Sequence, residues 1–292
     1  MMEFTEGVPV FGANFLVIST MRLLFSGVFR GSIASRLPEP LLKRILSPDG
    51  MKPERVRKLH ENLWYSVWHT ISFFLVTQQI FGESWCQPML ESWDFRWTLY
   101  GYPHTMPESA KAVYLLELGF WVSCLLFMAV ESLRKDFIEL MVHHIATITL
   151  ISLSYVYGYY RIGLLVMAVH DVADIFLYSA KICHYLDLKL STNVLFVKFV
   201  IVFFISRLLV FPFVIRVSWG PFAGDFPEFD YREYGGSLIL PSMLSVLQGL
   251  HCMWFYLILK MLWKMLNAET KQVEGDIRSD DEDVQVIEHK NK

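Results

Sequence analysis

Long apolar stretches recur along the whole 292-residue chain, and they leave few folds open to it. A membrane-crossing helix takes about 20 predominantly apolar residues at about 1.5 Å rise each. Seven stretches meet that need: 10–29, 62–81, 113–130, 137–157, 160–182, 194–215 and 238–263. The first is the least regular, because Gly12, Arg22 and Gly27 interrupt it. With 54% hydrophobic residues and a mean hydropathy of +0.37, apolar character is too high and too evenly spread for a soluble domain on a single anchor. The expected fold is an all-α, polytopic bundle of about seven transmembrane helices. Residues 1–61 read as an N-terminal segment, first span and basic loop, 62–266 as the main membrane domain, and 267–292 as an acidic tail too polar to fold alone.

Loop charge suggests an orientation. The loop after the first span carries Arg36, Lys43, Arg44, Lys52, Arg55, Arg57 and Lys58. The next, from "GESWCQ" to "MPESAK", is net acidic; "SLRKD" and "KICHYLDLKLSTN" are basic; "GPFAGDFPEFDYREYGG" is acidic again; Lys260, Lys264 and Lys271 follow the last span. The alternation puts the N-terminus on the lumenal side and the C-terminus in the cytosol, and it requires an odd number of spans. The N-terminus lacks the basic region and cleavage site of a signal peptide. The four cysteines lack CxxC spacing, so neither a disulfide framework nor a zinc site is indicated. Nothing points to nucleic acid. Ser279, followed by Asp280, Asp281, Glu282 and Asp283, reads either as a site for an acid-directed kinase or as part of a solvated tail.

Against this apolar background, two stretches are anomalous. "RKDFIELMVHHIATITL" places His143 and His144 inside the fourth span, and "VHDVADIFL" places His170, Asp171 and Asp174 inside the fifth. Each such group adds roughly 2.5–3.5 kcal/mol to insertion and normally faces the bundle interior. Counted from the cytosolic ends, His143 and Asp174 come out at a similar depth, roughly 10–12 Å. The short connection predicts that these two spans pack as antiparallel neighbours. Singly, a buried His or charged group often just completes an interhelical hydrogen bond, and His69, Glu117, Arg207 and His251 can be read either way. Five groups at one level on two helices point to chemistry instead. Histidine can be a general base or a nucleophilic acyl carrier, with Asp orienting it. The same groups could form a proton relay, but a relay transporter predicts repeats and paired helix breaks that are not seen. A di-iron histidine-box site would need more histidines at HxxHH-like spacing than the nine present supply.

These residues resemble the signature of the ceramide synthases, the sphingoid-base N-acyltransferases of the TLC-domain superfamily. The resemblance rests on Lys135–Asp136–Phe137, Glu139, His143–His144, Thr149, Ser154–Tyr155, Arg161-x-Gly163, His170–Asp171, Asp174 and Lys181. It extends to "KLHENLWYSVWH", "YLLELGFWVS", "SRLLVFPF" and "LQGLHCMWFYLILKMLW", about four-fifths of the chain. It implies acyl transfer from a fatty acyl-CoA co-substrate to the amine of a sphingoid base in the endoplasmic reticulum membrane, with no resident cofactor or metal. The partners it implies are those substrates and membrane lipids, and it admits a homo- or heterodimer. His143, His144, His170, Asp171 and Asp174 are the implied catalytic set. Arg134, Lys135, Glu139, Arg161 and Arg207 are the implied substrate-binding set.

Two routes stay open: direct deprotonation of the amine by a histidine, or transfer of the acyl group through one. The covalent route through His143 is preferred slightly, because Glu139 one turn earlier could fix its ring. The acyl chain is expected to run toward the lumenal end, where the 217–237 loop would line it. The alternative is a non-enzymatic lipid-binding or translocon-associated TLC protein, against which the intact His and Asp set argues. Three departures stand out. The basic loop is too short for a homeodomain-like insert, Tyr178 stands where many relatives have Glu, and no N-x-S/T sequon occurs.

Overall fold

A computed structural model describes residues 16, 18, 19, 22, 53–102, 104–128, 136–226 and 238–267. Most of the 10–29 span, the basic loop up to residue 52, Arg134, Lys135, much of the 217–237 loop and the tail with Ser279 lie outside the described residues. The described elements are helical. Helix α1 (Pro53–Gly82) is followed by the short α2 (Cys86–Ser92) and a 3-10 turn (Phe95–Thr98). Then come α3 (Glu108–Phe127), α4 (Phe137–Val156) and α5 (Tyr160–Tyr185). A 35-residue helical rod follows, made of α6 (Lys189–Phe203), a π-helical segment (Phe204–Val210) and α7 (Phe211–Ala223). Helix α8 (Ile239–Asn267) closes the order.

Among the described residues, five helices are long and apolar enough to cross a membrane: α3, α4, α5, the α6–α7 rod and α8. The protein is multi-pass. The 62–81 stretch is the exception to the sequence reading. It belongs to a longer helix that begins at Pro53 and takes in Arg55, Arg57 and Lys58, and its polar side chains keep it off that set. Those side chains have a use, since His69 and Ser72 are buried and bonded inward.

The π-helical segment lies just ahead of Pro212, in the first turn of α7. Proline has no N–H to continue the α-helical ladder, and a wider turn there absorbs the mismatch. Arg207 sits within that turn.

Helix α5 is the hub. It packs most extensively against α1 and α6, while α4 packs against α3 and α8. The fourth and fifth spans are neighbours as expected, but each has its main packing partners elsewhere. The turn at Tyr157–Tyr159 is short, with Gly158 at φ +74°, a left-handed conformation glycine adopts without strain. Beyond that turn the two helices share few contacts, and the space between them is a pocket.

At the closed end, Tyr114 Oη donates to the carbonyl of Tyr160 at 3.0 Å and accepts from Ser154 Oγ at 3.3 Å. This geometry depends on Gly163. A β-carbon there would lie 1.7 Å from Tyr114 Oη and 2.9 Å from Cζ. Glycine to alanine inside a helix normally stabilises by up to about 1 kcal/mol. Here the sign should invert, because the fully buried Tyr114 ring must move: Gly163→Ala is expected to destabilise by about 1–3 kcal/mol. Thermal unfolding in detergent, with Tyr114→Phe as partial relief, checks it.

Candidate active site

Helix geometry sends the anomalous polar groups in several directions. Adjacent residues differ by about 100° around an α-helix, so His170 and Asp171 cannot share a partner easily. His170 turns toward α8: its Nε2 lies 3.0 Å from Nε2 of His251, and its Nδ1 donates to the Val166 carbonyl at 2.6 Å. The carbonyl can only accept, so one proton is shared between the two facing imidazole nitrogens. His251 Nδ1 is buried without a partner among the described residues.

Asp171 turns toward α1. Its Oδ1 accepts from His69 Nδ1 at 2.8 Å and its Oδ2 accepts from Ser72 Oγ at 2.5 Å. Both oxygens are thus engaged with α1, and Asp171 orients His69 rather than His143 or His144, where the sequence reading had placed it. Asp174 pairs with Arg207: Nη2 donates to Oδ2 at 2.8 Å and also to the His170 carbonyl at 3.1 Å. Arg207 lies over the Phe203 ring, 4.9 Å from its centroid.

His143 and His144 share α4 but not surroundings. His144 Nδ1 donates to the Leu140 carbonyl one turn back at 2.6 Å. The His143 side chain makes no hydrogen bond with any described residue, and its Nδ1 is buried. Its ring is held by aromatic contacts instead, with centroids 5.6 Å from Trp121, 5.4 Å from Trp254 and 6.4 Å from His170. Glu139, half-buried one turn earlier, does not reach it.

Two pockets meet here. The first lies between α4 and α5 and is closed by α7 and α8, with about 840 Å³ of empty space counting its open mouth. Its wall is mostly apolar: Leu150, Ile151, Ile162, Val166, Leu244 and Leu247 among others. The second, on the side nearer Met128 and Ile258, carries the polar groups His69, His144, Asp174, Tyr178 and Arg207. Trp121 and His143 line both.

Arg161 is not part of this group. It sits at the start of α5, with Nη2 3.8 Å from Glu83 Oε2 and Nη1 donating to the Tyr100 carbonyl at 3.4 Å. There it stands near His104. Burial, and next the Arg161 charge, push His104 down to about 4, so that loop histidine is neutral at physiological pH. Arg134, Lys135 and Ser279 lie outside the described residues.

A sequence profile of the TLC domain matches residues 58–260, from the first turns of α1 into α8. Over 240 residues the chain is 33% identical to ceramide synthase LOH2 of Arabidopsis thaliana, covering 80% of this chain and 78% of that protein. The chain belongs to the ceramide synthases of the TLC-domain family. It is also 36% identical over 233 residues to ceramide synthase 3 of Homo sapiens, and 37% identical over 235 residues to ceramide synthase 4 of Mus musculus. Both matches cover 80% of this chain, which spans 57% and 56% of those two longer proteins. All the site residues described above, from His69 to His251, fall inside the matched TLC domain.

The structure brings His143, His144, His170, Asp171, Asp174 and Arg207 into one neighbourhood. It adds His69, Ser72, Trp121 and His251 as members the sequence reading left undecided or unmentioned. The signal that could have found His69 and Ser72 is their i, i+3 spacing, which aligns two polar side chains on one face of an otherwise membrane-length helix.

Proposed function

We propose that this ceramide synthase transfers a fatty acyl group from acyl-CoA to the amine of a sphingoid base, within the endoplasmic reticulum membrane. The observation that carries the reading is the position of His143 between an apolar pocket and a polar one. Along α4 the apolar pocket extends from His143 to Ser154, roughly 16 Å at 1.5 Å per residue. That length suits an acyl chain, whose burial is favoured by about 0.8 kcal/mol per methylene. The polar pocket suits the thioester, the amine and their charges. With the loop-charge orientation and seven spans, the polar pocket opens toward the cytosol, where acyl-CoA is soluble, and the basic Arg134–Lys135 pair of the sequence matches its phosphates in charge. The acyl chain then points to the lumenal end.

His143 is the carrier or base on this reading. Its buried Nδ1 has no competing partner, and the tryptophans on either side hold the ring without using its nitrogens. The test is mass spectrometry of the purified chain mixed with palmitoyl-CoA or a longer acyl-CoA, without and then with dihydrosphingosine. The expected result is N-acylated base, with an acyl mass on the His143–His144 peptide that disappears as product forms. Product without acyl-protein transfers the assignment to direct base catalysis. A folded sample that makes no product with any chain length overturns the acyltransferase reading in favour of lipid binding.

A further inference from the structure

His143 alone leaves one requirement of this chemistry unmet. A sphingoid amine arrives as an ammonium, and a histidine that carries the acyl group cannot also accept the amine's proton. The structure holds a second, separately oriented imidazole in the polar pocket. We propose that His69, fixed by Asp171 and Ser72, is the base that deprotonates the sphingoid ammonium; this rests on the acyl-transfer reading above.

The geometry is that of an oriented base. Asp171 Oδ1 takes the His69 Nδ1 hydrogen at 2.8 Å, which leaves Nε2 as the one ring nitrogen able to accept a proton. Ser72 Oγ holds the other carboxylate oxygen at 2.5 Å, so Asp171 cannot swing away. Tyr178 stacks on the imidazole face at 5.4 Å and 6°, fixing the ring plane. The ring is 2% exposed yet lines the polar pocket that His143 also lines, and Trp121 stands in ring contact with both, 6.1 Å from His69 and 5.6 Å from His143. A buried, fully oriented Asp–His pair whose imidazole lines a reaction pocket has the arrangement of a general base rather than of a structural hydrogen bond.

The ammonium gives one proton to Nε2 of His69, and the freed lone pair attacks the acyl carbon. The bond from that carbon to its leaving group breaks and the amide C–N bond forms. The CoA thiolate has already left, as the thiol with the His143 imidazole proton, when the acyl group passed to His143; the second amine proton now restores the departing His143 imidazole, and His69 returns its proton to solvent. One proton is released per amide formed.

The test uses the full chain in detergent with two acceptors, dihydrosphingosine, which must be deprotonated, and hydroxylamine, which is already neutral near pH 7. Wild type should form both the amide and the fatty hydroxamate. His69→Gln is expected to lose about 100-fold in amide formation at neutral pH, to recover about tenfold per pH unit as the solution itself deprotonates the amine, and to keep hydroxamate formation. Ser72→Ala retains His69 and should show the same selectivity at about tenfold. Selective loss in either folded variant supports the assignment. Equal loss with both acceptors in both variants overturns it, as does amide formation by His69→Gln within about threefold of wild type. A wild type that forms hydroxamate but no amide refutes the sphingoid acceptor itself, and a wild type that forms neither refutes acyl transfer.

Discussion

His143→Ala is expected to lower formation of N-acylated sphingoid base by about a thousandfold or more, with the protein still folded. The expectation follows from what His143 does not do. Its side chain makes no hydrogen bond with a described residue, so removing the ring unpairs nothing. Its lost contacts are with Trp121 and Trp254, and the change enlarges a junction that is already open to two pockets. Stability should therefore change by only about 1–3 kcal/mol, whereas the reacting nitrogen disappears entirely. His144→Ala should differ in kind, since its Nδ1 is tied to the Leu140 carbonyl and its ring stacks edge-on with Trp121 at 5.4 Å. Product assays beside thermal unfolding of both variants separate the two roles. His143→Ala activity within about tenfold of wild type would remove it from the mechanism.

The largest stability effect is expected at the pair formed by Asp174 and Arg207. Both side chains are deeply placed, at 14% and 6% exposure, and they meet at 2.8 Å in the π-helical turn. Asp174→Asn leaves the guanidinium without its counter-charge, and breaking a buried pair from one side destabilises by about 3–5 kcal/mol. Arg207 also donates to the His170 carbonyl, so the loss should loosen the α5 backbone beneath the His170–His251 contact. Replacing both partners with apolar residues, Asp174→Leu with Arg207→Met, should recover most of the lost stability without restoring activity. Thermal unfolding of the single and double variants decides the matter. Additive losses in the double variant would mean that the two groups act independently.

Much of this protein could be read before any coordinates. Apolar run length located α3, α4, α5, the α6–α7 rod and α8, because a bilayer demands about 20 apolar residues per crossing whatever their order. The insertion penalty for charge made His143, His144, His170, Asp171 and Asp174 conspicuous for the same reason. Helix α1 was harder. Its inward polar face lowers its mean hydropathy, and residues that look like a weak span hold His69 and Ser72 against Asp171.

Partnership was the part that residue order could not decide. A helix turns about 100° per residue, so the His-Asp-x-x-Asp run on α5 radiates to three neighbours. His170 meets His251 on α8, Asp171 meets His69 on α1, and Asp174 meets Arg207 in the π-helical turn. Spacing along one helix states how the groups are spread in angle, but which element fills each angle depends on packing between segments distant in sequence. The short connection correctly implied that α4 and α5 are neighbours, but not that α5 packs mainly on α1 and α6 while α4 packs mainly on α3 and α8. Sequence alone determined that titratable groups would be buried among the apolar helices of a membrane protein, because burial and length obey one-dimensional rules. Tertiary structure alone decided that His143 Nδ1 stands without a hydrogen-bond partner among the described residues, between two pockets, while Asp171 serves His69, because these contacts and cavities form between helices.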